Sequence, residues 1–159
     1  MAKAREIPGL KGQDSFRGAA AKVVTTRADE LFEQADGVLD TSDLEHVHDM
    51  RVASRRLRAV LEIFGPCFPR ELHRSVLHDV KALADALGER RDPDVHIESL
   101  TAFAAAVPGA DRAGVESLID RLGEEQVAAN VDLAAALVEM ERSDLHGRLR
   151  ALAAGAATS

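Results

Sequence analysis

Residues 48 to 64 read HDMRVASRRLRAVLEIF, and at about 100° per residue on a helix they sort into one cationic and one apolar stripe. With His48 as origin, Arg51, Arg55 and Arg58 fall within about a quarter turn on one side, and Arg56 lies about 80° to the other. Met50, Ala53, Leu57, Val60, Leu61 and Phe64 gather opposite. Such a helix packs through one face and presents guanidinium groups from the other. Thr41, Ser42 or Asp43 can cap it, Glu45 is within capping-box reach, and Gly65 with Pro66 stops it, so the predicted span is Asp43 to Phe64.

Working outward, the same periodicity continues. A helix is expected from about Asp14 to Ala35, carrying Phe16, Val23, Val24, Leu31 and Phe32, with Asp36 and Gly37 at its exit. After the GPCFP turn, residues 65 to 69, a third helix is expected from Arg70 to Leu87 with Leu72, Val76, Val80, Leu83 and Leu87 inward and Gly88 ending it. Asp92 as cap, Pro93 at the first helical position and Asp94 in the first turn predict a fourth helix running to about Val107, before Pro108 and Gly109. A fifth runs from Asp111 or Arg112 to about residue 141, with Gly123 bending or weakening it, and a short last helix covers Ser143 to Ala153. Alternating strand patterns do not occur between turn signals. The fold class is therefore all-α, an antiparallel helical bundle with short connections. Residues 1–12 are expected as a flexible N-terminal segment, 13–153 as one helical domain and 154–159 as a frayed C-terminus.

The 159 residues suit one domain that can bury a core without disulfides or metal. The N-terminus MAKAREIPGLKGQDS lacks the apolar centre of a secretory signal, and no apolar run nears the roughly 20 residues that cross a bilayer, so a cytoplasmic protein with no membrane partner is expected. Cys67 is the single cysteine; between Pro66 and Pro69 it reads as a small apolar turn residue. Tryptophan and tyrosine are absent and phenylalanines number five, which argues against single-stranded nucleic acid held by base stacking. The formal net charge is −7, but it is unevenly spread: residues 48–91 hold nine Lys/Arg and six Asp/Glu, +3, while the remainder holds eleven and twenty-one, −10. A local cationic field can stand within an acidic surface because charges are screened over about 10 Å.

The third helix adds Arg74, His78, Lys81 and Asp85 within about 60° of one another, and the GERRD segment adds Arg90 and Arg91. If that helix lies antiparallel beside the arginine helix, both stripes border one groove. Guanidinium groups donate forked, charge-assisted hydrogen bonds to phosphate oxygens, and arginines at i, i+4 and i+7 form a ladder suited to a linear polyanion. His48 can donate from its ring nitrogens and Lys81 supplies a flexible point charge. The plainer alternative is a solvated face on which Asp49, Glu62, Asp79, Asp85 and Glu89 form surface salt bridges of little worth. His46 reads as a packed helix-start residue, and His73, His96 and His146 are scattered without an i, i+4 ligand pair, so neither a metal site nor a cofactor is expected.

The strings VHDMRVASRRLRAVLEIF, residues 47–64, and VKALADALGERRDPDV, residues 80–95, together resemble the signature of the CHAD family, histidine-containing α-helical domains that bind inorganic polyphosphate. The resemblance extends loosely from Ala20 to Leu152 and is diagnostic over residues 47–95. It implies a four-helix bundle, here with additional C-terminal helices, lining a basic cleft and acting as a binding module rather than an enzyme. It implies His48, Arg51, Arg55, Arg56, Arg58, Lys81 and Arg91 as ligand-lining; Arg90, Arg74 and His78 join them from helix phase and proximity. The family commonly pairs two related halves, whereas this chain carries the basic signature once, so a homodimer is expected to complete the site. Association with polyphosphate granules follows as an expectation. Two rivals remain: an accessory subunit or hydrolase acting on polyphosphate or triphosphate, against which no P-loop is found, and binding to nucleic-acid backbones, disfavoured by the acidic remainder.

Overall fold

Helix α1, Phe16–Glu33, begins where the Ser15 hydroxyl accepts the Gly18 N–H at 3.0 Å. It is followed by a turn through Gly37, whose φ of 76° favours glycine and where an added Cβ would stand a tight 3.1 Å from the His46 ring. This is a computed structural model, and it describes residues 3–158. Helix α2, Leu44–Ile63, is capped by Asp43, which accepts the Glu45 N–H at 3.0 Å. Its buried residues are Val47, Met50, Ala53, Ser54, Leu57 and Leu61; Met50, Ala53, Leu57 and Leu61 are from the apolar stripe read in the sequence, whose Val60 and Phe64 are partly buried. Ser54 is satisfied locally, its hydroxyl donating to the Arg51 carbonyl at 2.8 Å. A 3₁₀ turn, Gly65–Cys67, then reverses the chain, and Cys67 is buried as a free thiol.

Helix α3 departs from expectation. It runs unbroken over Arg70–Ala106, fusing the two helices that Gly88 and Asp92-Pro93 were expected to separate. Pro93 sits inside it, where its ring removes the N–H that the Glu89 carbonyl would ordinarily accept. A polar brace spans that step. Arg90 and Asp94, both 0% exposed, form an ion pair four residues apart. Gln126 Nε2 donates to the same Asp94 Oδ1 at 2.6 Å, Arg90 Nε donates to Asn130 Oδ1 at 3.0 Å, and Asn130 Nδ2 donates to the Leu39 carbonyl at 3.1 Å. The brace thus ties the middle of α3 to the next helix and to the α1–α2 loop.

Helix α4, Gly109–Arg142, passes through Gly123 without interruption, and α5, Leu145–Thr158, continues past the expected end at Ala153 because Ala156 is buried. Ser159, with Met1 and Ala2, lies outside the described residues. No strand occurs among the described residues, so the protein is all-α, as expected. Helix α1 packs between α2 and α5, and α3 packs on α2, α4 and α5 around Leu31, Met50, Leu57, Val80, Leu87, Leu133 and Leu149. No helix is long and apolar enough to cross a membrane.

Polar clamps hold α5. Arg148 donates to Ser75 Oγ at 3.0 Å and pairs with Asp79, both on α3. On the other side Asp29 of α1 accepts from His146 at 2.8 Å and from Arg150 at 3.0 Å. Partial burial pushes the Asp29 carboxyl upward, but these two hydrogen bonds outweigh it and hold the group below the usual aspartate range. Residues 3–14 form no helix and lie along α1, where the Lys22 ammonium donates to the Gly9 carbonyl at 2.6 Å and Arg5 pairs with Glu33.

Candidate anion-binding groove

On the unbroken α3, Arg70, Arg74, His78, Lys81, Asp85, Glu89 and Asp92 recur at helical spacing along one face. That face borders α2, and the groove between them, of about 410 Å³, is lined by Arg51, Arg55 and Arg58 from α2 and by Ala84, Asp85, Gly88, Glu89 and Asp92 from α3. Three arginines at i, i+4 and i+7 therefore face three carboxylates at the same spacing. Gly88 leaves the acidic wall low, with nothing within 4 Å of where its Cβ would stand. Among the described residues, Arg51 and Arg55 form no ion pair with the acidic wall or with any other carboxylate.

A second concavity of about 390 Å³ continues along α3, lined by Arg70, His73, Arg74, Leu77, His78 and Lys81. His73 is fixed there, its Nε2 donating to the Leu61 carbonyl at 2.8 Å and its ring stacked on Phe68 with centroids 5.7 Å apart. Glu62 links a lining residue of each concavity: its Oε1 accepts from Arg58 Nε at 3.1 Å and stands 3.4 Å from Lys81 Nζ. The Arg58 hydrogen bond holds the Glu62 carboxyl below the ordinary glutamate range, against slight desolvation and with Lys81 adding to the effect. The α2 stripe thus runs basic through Arg58 and turns acidic at Glu62, while the α3 stripe runs basic through Lys81 and turns acidic at Asp85.

The residues singled out from the sequence divide accordingly. Arg51, Arg55 and Arg58 share one groove; Arg74, His78 and Lys81 share its continuation. His48 is half-buried one turn before Arg51 on the same helix. Arg56 points elsewhere, into a small pocket with Lys3, Arg5, Glu30, Glu33, Gln34 and Ala53 beneath the N-terminal segment. Arg90 is in the interior, held by Asp94 and Asn130, and faces no groove. Arg91 is 16% exposed with Nη1 3.9 Å from Asp94 Oδ2, at the rim of the same buried cluster. Arg70 was not among the sequence-based candidates, and of the acidic wall Asp85 and Glu89 were read as salt-bridge partners and Asp92 as a helix cap. The i, i+4, i+7 spacing of Asp85, Glu89 and Asp92 was hidden once a turn was read at Gly88.

Chemically, the arrangement offers a file of guanidinium groups with one ammonium in an open trough, of which Arg58 and Lys81 pair with Glu62, suited to successive oxyanions along a chain. Among the described residues, no group of three or more His, Cys, Asp or Glu side chains is arranged to hold a metal ion. The arginines beyond Pro108 repeat nothing of this kind: Arg148 and Arg150 clamp α5, Arg142 pairs with Glu139 within α4, and Arg121 lies 3.7 Å from Glu125. No curated protein and no solved structure matches the chain. The CHAD domain matches residues 22–159, nearly the whole sequence and including every groove residue named above, and the chain belongs to the CHAD domain family.

Proposed function

We propose that the protein binds inorganic polyphosphate along the α2–α3 groove without turning it over. The observation that carries this is the file of Arg51, Arg55 and Arg58, facing an open trough and continued by Lys81, His78 and Arg74. Membership of a family associated with polyphosphate and triphosphate supports the same ligand class. The acidic wall of Asp85, Glu89 and Asp92 confines an anionic chain to the arginine side, which suits a single narrow strand better than a duplex. Titration with phosphate chains of increasing length at several salt concentrations tests the reading. Affinity rises with chain length and falls steeply with salt, by analogy with counterion release from nucleic acid. Affinity independent of length overturns it.

Two neighbouring readings have their own outcomes. Phosphate released from polyphosphate in the presence of magnesium or manganese would make the protein a hydrolase. Duplex DNA competing as well as polyphosphate at matched charge and salt would make it a general backbone binder. The sequence carries the basic signature once, and a second copy of the chain supplies the other half; a mass that stays monomeric with polyphosphate bound counts against that homodimer. Granule association, with the cytoplasm as its setting, follows from the ligand, and a fluorescent fusion that ignores polyphosphate granules in cells refutes it.

A further inference from the structure

We propose that Glu62 sets how strongly this groove prefers long phosphate chains to short ones, an inference that rests on the polyphosphate reading above. Because α2 and α3 run antiparallel, the changes of sign at Glu62 on α2 and between Lys81 and Asp85 on α3 fall at one level. The positive path therefore follows neither helix along its length. It leaves α2 at Arg58, crosses to Lys81 and continues through His78 and Arg74.

The Glu62 carboxylate stands in that crossing. One oxygen, Oε1, takes the Arg58 Nε–H at 3.1 Å and lies 3.4 Å from Lys81 Nζ, the position a phosphate oxygen shared by the two helices would occupy. A chain short enough to rest on Arg51 and Arg55 leaves this contact undisturbed. A chain that continues to Lys81 must displace the carboxylate, and the side chain, 45% exposed, has open solvent to swing into. The two contacts it gives up are of the exposed kind, so the effect is a moderate handicap on long chains rather than a block.

The test compares tripolyphosphate with long-chain polyphosphate on the wild type, on Glu62→Gln and on Glu116→Gln. The second variant makes the same charge change at an exposed position two turns into α4, beside the α3–α4 connection. Glu62→Gln is expected to tighten long-chain binding roughly three- to tenfold while tripolyphosphate shifts less than about twofold. Glu116→Gln is expected to leave both ligands within about twofold of the wild type. Equal tightening for both ligands, no tightening, or a gain matched by Glu116→Gln overturns the role of Glu62 and leaves the polyphosphate reading standing. If neither wild type nor Glu62→Gln holds the long chain, that reading fails and this inference with it.

Discussion

Arg55 and Arg56 are adjacent in sequence and opposite in role. Arg55 is exposed on the groove with no acidic partner among the described residues, whereas Arg56 turns towards Glu30 and Glu33 under the N-terminal segment. Arg55→Ala is expected to weaken long-chain polyphosphate binding about tenfold, as loss of a charge-assisted contact would, with an unchanged melting temperature. Arg56→Ala is expected to leave affinity closer to the wild type; isothermal titration on both variants checks the contrast. Arg90 gives the opposite case, a guanidinium that works inside the protein. Asp94→Ala strips its ionic partner among the described residues and is expected to destabilise the fold by about 3–5 kcal/mol, measured by chemical denaturation, because a buried charge is left uncompensated. The arginine ladder was legible from the sequence because it depends on helix phase alone. The burial of Arg90 was not, because its partners Gln126 and Asn130 belong to a helix distant in sequence, and nothing in the GERRD segment itself announces them.

At the level of the helices, α1 and α2 could be read to within about two residues, α1 from its apolar periodicity and α2 from the Asp43 cap as well, because both are local signals. The join within α3 could not be read, since Gly88 and Asp92-Pro93 are local stop and start signals overridden by tertiary contacts through Arg90 and Asp94. Gly123 is a smaller instance: it was expected to bend or weaken the fifth helix, α4 runs through it, and nothing lies within 4 Å of an added Cβ. Gly123→Ala is therefore expected to raise stability by about 0.5–1 kcal/mol in urea denaturation, through lower backbone entropy in the unfolded chain. The α1–α5 clamp carries a pH signature. With the Asp29 carboxyl held below its unfolded value by His146 and Arg150, the clamp contributes fully above about pH 4 and is lost as pH falls through the lowered value. Asp29→Asn should accordingly lower stability by about 1 kcal/mol at neutral pH, and the gap to wild type should narrow below about pH 4 in thermal melts across that range.

For the molecule as a whole, a net charge of −7 coexists with a cationic file because the positive groups are gathered on parts of two helices while the excess carboxylates lie elsewhere. The acidic exterior is expected to suppress unspecific polyanion binding, so that at about 150 mM salt, where fields decay within about 8 Å, polyphosphate outcompetes duplex DNA of matched charge. A competition titration checks this. The unbroken course of α3 has a mechanical consequence as well. Its 37 residues make a rod of about 55 Å, and roughly 21 Å of that length lies beyond Asp92, the last groove residue. The groove and the α3–α4 tip are thus two ends of one lever: a tilt of about 10° imposed where the phosphate chain binds carries Ala106 through roughly 4 Å at the far end.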